Sequence, residues 1–194
     1  MPSLHATIDG DERELTAGTT GTDLYGERRD VLVMRVDGQL WDLAREVPAG
    51  ATVEAVTIGE PDGLMVLRHS TAHVLAQAVQ QVNPDAKLGV GPPVENGFYY
   101  DFDVETPFVP EDLDKLETAM RKIIKENQRF ERRVTTDAAA LDELQDEPYK
   151  VELIGLKGGA GAEDAAEGAS VEVGAGELTI YDNVTRDGEV AWKD

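Results

Sequence analysis

A chain of 194 residues with 41 % hydrophobic content is long enough to bury a core in one large or two small domains. Eighteen Lys and Arg against 39 Asp and Glu leave a formal charge of -21, which disfavours bulk binding to nucleic acid and leaves room only for a local basic patch. The absence of cysteine excludes disulfides and thiolate metal sites, and no apolar run approaches the roughly 20 residues of a membrane span. The acidic N-terminus lacks the basic and apolar regions of a signal peptide, so a soluble, cytoplasmic protein with no membrane partner is expected.

From the N-terminus, His5 to Asp9, the turn Gly10-Asp11 and Arg13 to Leu15 predict a hairpin. Gly18-Thr-Thr-Gly21 offers a hydroxyl cap to a short helical turn through Tyr25, and Val31 to Val36 reads as a buried strand turned back at Asp37-Gly38. Gln39 to Leu43 and Thr52 to Ile58 complete a small mixed sheet with one helix. Trp41, expected to be exposed, either seals this core or serves as a ligand platform. The order of hairpin, helix and further strands over about residues 1 to 60 resembles the TGS domain, a ubiquitin-like β-grasp module that looks alike in aminoacyl-tRNA synthetases, certain GTPases and stringent-response enzymes.

Gly59-Glu-Pro61-Asp-Gly63 is a cluster of helix and strand breakers, and the boundary between domains 1–60 and 61–194 is expected there. Leu64 to Val82 then predicts one long helix closed by Asn83-Pro84, with Leu64, Leu67, Thr71, Leu75, Ala78 and Val82 as its buried stripe. His69 and His73 sit one turn apart on it. At that spacing two imidazoles can converge on one metal, water or substrate group, or can simply pack. Ser70 stands where a zinc-protease helix carries its glutamate base, so that reading fails.

Glu95-Asn96-Gly97 between apolar residues predicts a hairpin. In the strand that follows, Phe98, Tyr100 and Phe102 share one face and Tyr99, Asp101 and Asp103 the other. Val109-Pro110 opens a second helix with an inner stripe of Leu113, Leu116, Met120, Ile123 and Asn127. Its far end carries Arg121, Lys122, Lys125, Arg129, Arg132 and Arg133, which are either cations favoured near a helix C-terminus or a phosphate-contacting surface. Thr136 caps a short third helix to Leu144, followed by Pro148-Tyr149-Lys150-Val151. The tract from Gly158 to Ser170, of small and acidic residues, is expected to be a mobile loop, and Leu178 to Trp192 a final hairpin. No capping signal closes the domain, so the sequence is expected to be a fragment.

The motifs His69-Ser-Thr-Ala-His73, Gly91-Pro-Pro-Val-Glu-Asn-Gly-Phe-Tyr-Tyr-Asp101 and Tyr149-Lys-Val151 resemble the editing domain of bacterial threonyl-tRNA synthetases. With the TGS-like module before them, the whole chain is similar to the N-terminal part of those enzymes. The resemblance implies an α+β fold: a small β-grasp (TGS) domain, then a mixed α+β editing domain with the long His-bearing helix, incomplete at its C-terminus. It implies hydrolysis of seryl-tRNA mischarged for threonine, with His69, His73 and Lys150 as catalytic residues and Tyr100 and Asp194 binding substrate. Arg121, Lys122, Lys125 and Arg129 become candidates for contact with the tRNA acceptor end. In the family a Cys-x-x-x-His segment just beyond the position of Asp194 supplies the other half of the site. ATP, Mg and zinc belong to a catalytic domain that these residues do not include, and a homodimer would form through domains outside them. No cofactor is expected here, and no metal, since two histidines make only about half of a four-coordinate site. The tract 158–170 departs from the family pattern. The rival readings are an alanyl-type tRNA editing hydrolase, which the TGS-like module argues against, and a non-catalytic TGS and RNA-binding module.

Overall fold

In the computed structural model, which describes residues 2–158 and 178–193, the chain separates into two compact units that divide between Arg68 and His69. The first begins with β1 (Ser3–Ile8) and β2 (Asp11–Thr16), antiparallel across Asp9 and Gly10, whose φ angles of 49° and 91° are those a tight two-residue hairpin demands. Thr20 caps α1 (Gly21–Tyr25) reciprocally: its hydroxyl accepts the Asp23 N–H at 3.2 Å and the Asp23 carboxylate accepts the Thr20 N–H at 2.8 Å. β3 (Val31–Val36) turns at Asp37-Gly38 into β4 (Gln39–Trp41), and β5 (Thr52–Thr57) inserts between β1 and β3. The resulting order β2-β1-β5-β3-β4, with β1 and β5 parallel and the other pairs antiparallel, is the β-grasp arrangement that the resemblance implies. Ile8, Tyr25, Met34, Val36 and Val53 form its core. Trp41 is half-buried against that core instead of exposed, and the Arg45 guanidinium lies 3.5 Å above its ring centroid, so it seals the core and its face is already covered.

The predicted long helix is α2 (Pro61–Val82), with proline at its first position, where no intrahelical N–H is needed. Three contacts within the first unit fix its opening turn. The Glu60 carboxylate accepts the Thr57 N–H at 2.8 Å, Arg35 donates to Asp62 at 2.8 Å, and Gly63 lies so close to β5 that a Cβ there would come 1.9 Å from the Thr57 carbonyl oxygen.

The buried face of α2 differs in part from the predicted stripe. Of that stripe Ala78 is buried, as predicted, together with Ala72, Ala76 and Val79 outside it, whereas Leu67, Thr71 and Leu75 are half-buried and Leu64 and Val82 exposed. Small residues form the packed face because they let neighbouring elements approach closely, and a search for large apolar side chains passes over them. Val79 packs with Ala86, Leu116 and Phe102 from the chain that follows the helix.

Four short strands follow: β6 (Lys87–Leu88), β7 (Pro93–Val94), β8 (Gly97–Phe98) and β9 (Phe102–Asp103), paired β6 with β9 and β7 with β8. The hairpin predicted at Asn96-Gly97 forms with Glu95-Asn96 as its turn and Gly97 already paired with Val94. The stretch from Phe98 to Asp103 is not one strand, since Tyr99 to Asp101 lie between β8 and β9.

α3 (Pro110–Glu126) ends at Asn127 in the left-handed conformation, φ 52°. Leu116 and Ile123 are buried as predicted, but Leu113 is 63 % exposed and Asn127 is also at the surface. That αL stop also divides the basic patch: Arg121, Lys122 and Lys125 belong to α3, whereas Arg129, Arg132 and Arg133 belong to β10 (Arg129–Thr135). Arg121 pairs with Glu117 at 2.5 Å and Arg129 with Glu131 at 3.5 Å.

Thr136 caps α4 (Asp137–Glu143), as predicted, and α5 (Pro148–Gly158) follows, a helix absent from the sequence expectation. Gly158, the first residue of the small-residue tract, closes α5; the rest of that tract lies outside the described residues. β11 (Leu178–Val184) and β12 (Val190–Lys193) make the predicted final hairpin and extend β10 into a three-stranded antiparallel sheet.

Arg133 binds Asp182 with two donors and Glu143 at 2.7 Å, and Lys193 reaches Glu143 at 2.5 Å, tying β10, β11, β12 and α4 together. The Lys193 and Arg133 hydrogen bonds hold the Glu143 carboxyl below its ordinary value of 4.5. A carboxylate with a depressed folded value stabilises the fold above its unfolded value, and that contribution is lost as pH falls through the folded one. The melting temperature should therefore drop below pH about 4.5 less steeply in Glu143→Gln than in wild type. Parallel pH profiles of the two would show that the cluster contributes nothing.

Candidate functional site

The helical repeat of α2 places His69, His73, Gln77 and Gln80 at steps of four, four and three, along one side. The two imidazoles are half-buried, with ring centroids 4.7 Å apart and planes 34° from parallel. Trp192 of β12 meets His73 edge to face at 6.1 Å and 72°.

The same hairpin is fixed to the helix by two side-chain amides. Asn183 and Trp192 are partners across β11 and β12. Asn183 Nδ2 donates to Gln77 Oε1 at 3.0 Å, and Trp192 Nε1 donates to Gln80 Oε1 at 2.7 Å. Gln77 and Asn183 are 1 % and 2 % exposed, so their hydrogen bond is made out of water.

Lys150 stands in the first turn of α5, half-buried, its N–H donating to the Glu147 carbonyl at 3.0 Å. Glu147 also anchors that turn through its side chain: Oε1 accepts from Gln80 Nε2 at 2.7 Å and Oε2 from the Leu88 N–H at 3.0 Å. Beside Lys150, the Tyr149 hydroxyl donates to Asp103 Oδ2 at 2.9 Å, and this carboxylate raises the phenol's pKa by favouring its protonated form.

Tyr100 is half-buried and stacks on Phe102, centroids 4.8 Å apart and planes 17° from parallel, so the two share a face as the alternation predicts. Phe108 meets Phe102 edge to face at 5.9 Å. Gly91 has a steric role here: a Cβ would fall 2.1 Å from the Tyr100 ring, so only glycine lets the phenol lie against this backbone.

Of the residues expected in a site, the described contacts join His69 to His73 directly and link α2 to the Lys150-bearing turn through Gln80 and Glu147. Tyr100 is held by its own aromatic cluster, and Asp194 lies outside the described residues. Gln77, Gln80, Glu147, Asn183 and Trp192 were not anticipated. Their one signal is the recurrence of Gln at positions 77 and 80 on the histidine side of α2. Among the described residues, no three His, Cys, Asp or Glu side chains are grouped to hold a metal ion, and no helix is long and apolar enough to cross a membrane.

No family model matches the chain. Among curated proteins it is 66 % identical over 188 residues to the threonine--tRNA ligase of Nocardioides sp. (strain ATCC BAA-499 / JS614), a match covering 95 % of this chain and 28 % of that protein. It is 61 % identical over 189 residues to the threonine--tRNA ligase of Micrococcus luteus, covering 97 % of this chain and 28 % of the relative. The threonine--tRNA ligase of Thermobifida fusca is 57 % identical over 196 residues, 100 % of this chain and 29 % of its own length. The chain thus spans a little over a quarter of the relatives it matches, and the resemblance drawn from its motifs extends over nearly all of its residues.

Proposed function

We propose that this chain, similar nearly throughout to a part of threonine--tRNA ligases, is the proofreading region of such an enzyme and contributes to hydrolysis of seryl-tRNA mischarged for threonine. The observation that carries this reading is the pair of imidazoles 4.7 Å apart on one helix, in a chain whose motifs and near-full-length similarity point to the same enzymes.

Cleaving an aminoacyl ester needs a positioned water, donors for the carbonyl oxygen as it gains charge, and groups that recognise the amine and the serine hydroxyl. His69 orients and deprotonates the water, and His73 holds the substrate hydroxyl or the terminal ribose. Lys150 supplies a cationic donor to the ester oxygen. Tyr100, held flat by Phe102 and the bare Gly91 backbone, walls the amino-acid pocket, and Asp194 binds the substrate amine. The family's Cys-x-x-x-His segment completes the site from beyond Asp194. ATP-dependent aminoacylation belongs to other domains of the ligase, with its ATP, Mg and zinc, so no metal or cofactor is assigned to these residues.

The tRNA acceptor end is the partner. Its negative charge meets repulsion from a chain of net charge -21, which the exposed cations Arg121, Lys122 and Lys125 of α3 and Arg129 of β10 offset locally. Pairing of Arg121 with Glu117 and Arg129 with Glu131 reduces the share each can offer a phosphate. A cytoplasmic location and a homodimer built through other domains accompany the reading.

Titrating the chain with adenosine carrying serine through a 3′ amide, which resists hydrolysis, tests the pocket by NMR. Ring signals of His69, His73 and Tyr100 should move together and saturate, and an alanyl amide should move them less. Signals that stay still with both compounds, or respond better to alanyl, would remove seryl recognition from these residues.

A further inference from the structure

We propose that Trp192 is a positioning residue for the His73 imidazole, set in place by Gln80 and Glu147, in an array that also holds the start of the Lys150-bearing helix. The inference rests on the proofreading reading for its consequence, but the array itself is a matter of geometry.

An imidazole turns about two side-chain torsions, and on a half-buried helix face its neighbours restrict the orientations it can take. Trp192 is one such neighbour, edge to face at 6.1 Å. The indole is itself held, because its single donor, Nε1–H, is bound to Gln80 Oε1 at 2.7 Å.

The Gln80 amide has one workable orientation. Its Nε2 donates to the Glu147 carboxylate at 2.7 Å and to the Ala86 carbonyl at 3.3 Å; a flipped amide would set its oxygen against two acceptors and its nitrogen against the indole donor. Glu147 closes the series with its other oxygen on the Leu88 N–H at 3.0 Å, and its backbone carbonyl accepts the Lys150 N–H. Gln80 Nε2 and the Leu88 N–H thus both donate to one carboxylate, whose charge strengthens those two bonds.

A second tie prevents the hairpin from slipping. Asn183, across the strand pair from Trp192, bonds Gln77 one helical turn before Gln80, so any change of register breaks both amide contacts at once. Trp192, Gln80 and Glu147 thus couple three elements, β12, α2 and the beginning of α5, around the residues assigned to the reaction.

The test combines NMR of this chain with deacylation kinetics of the chain extended through the Cys-x-x-x-His segment. Gln80→Leu removes the acceptor at similar size, and Trp192→Phe keeps an aromatic ring but removes the donor. In wild type the Trp192 indole N–H should exchange slowly with solvent. In Gln80→Leu it should exchange about tenfold faster or more, since its opening no longer breaks a hydrogen bond. In both variants the His73 ring signals should shift, whereas those of His5 in the first unit should not.

Loss of orientation should appear in turnover more than in binding, so kcat for seryl-tRNA hydrolysis should fall about 10- to 100-fold in either variant with KM nearly constant. Folded variants whose His73 signals and kcat match wild type would overturn the proposal, as would a lower melting temperature with kcat intact. Should one variant fail to fold, the other decides. An extended wild-type chain without any hydrolysis would sink the proofreading reading, while the His73 and indole signals would still decide whether the array positions the imidazole.

Discussion

Replacing His69 or His73 with alanine should slow seryl-tRNA deacylation by about 100-fold or more in the chain extended through the Cys-x-x-x-His segment, the usual size of a lost general-base contribution. The melting temperature should change little. Both rings are only half-buried, unlike Ala72, Ala76 and Val79 of the same helix. Removing one ring leaves no sealed cavity of the kind that costs several kcal/mol in a core. Each substitution should also act on the other imidazole, 4.7 Å away, so the double variant should be little slower than the worse single one. Hydrolysis that survives both replacements, together with a large loss of thermal stability, would return the histidines to a packing role.

Gly63→Ala should destabilise the first unit by about 3 kcal/mol, the upper part of the range for overpacked sites. Alanine is preferred over glycine in a helix by about 1 kcal/mol, so propensity alone gives the opposite sign. The clash decides, because the new Cβ would lie 1.9 Å from the Thr57 carbonyl oxygen and 2.6 Å from its carbon, backbone atoms that cannot rotate aside. Gly155→Ala on α5 is the control: it is exposed, and an added Cβ meets nothing within 4 Å. That variant should gain up to about 1 kcal/mol. Equal urea midpoints for Gly63→Ala and wild type would mean that the opening turn of α2 does not rest against β5 as described.

Local rules carried much of the first unit. The first hairpin forms with its turn one residue earlier than expected, at Asp9-Gly10 instead of Gly10-Asp11; Asp37-Gly38 turns where predicted, and the expected hydroxyl cap of the first helix is Thr20. The insertion of β5 between β1 and β3 has no local signature and came from resemblance to the β-grasp module.

In the second unit, periodicity found α2, α3 and α4 but misassigned faces. Ala78 is buried as predicted, but the alanines at 72 and 76, equally buried, weigh little in an apolar pattern, and Leu113 looks like core although it is 63 % exposed. The start of α5 has no local signature because Pro148-Tyr-Lys-Val reads equally well as extended chain, and the residue before it, Glu147, is held by contacts with Gln80 and Leu88 that lie far away in sequence.

The candidate site divides in the same way. The spacing of His69 and His73 follows from the helical repeat, so their convergence was legible. Trp192 reaches His73 across a sequence separation that no local pattern encodes. The six cations of the basic patch, close in sequence, are divided between two elements at Asn127, whose left-handed conformation sends Arg129 onward along a strand. Three of the six, Arg121, Arg129 and Arg133, are then drawn into pairs with nearby acids.

Rates of deacylation of seryl-tRNA and threonyl-tRNA, measured side by side for this chain and for the chain extended through the Cys-x-x-x-His segment, test whether these residues are one half of a proofreading site. The account predicts weak or undetectable hydrolysis by the chain alone, and by the extended chain rapid release of serine with the threonyl ester spared. Equal activity of the two chains, or hydrolysis of both esters at the same rate, would contradict it.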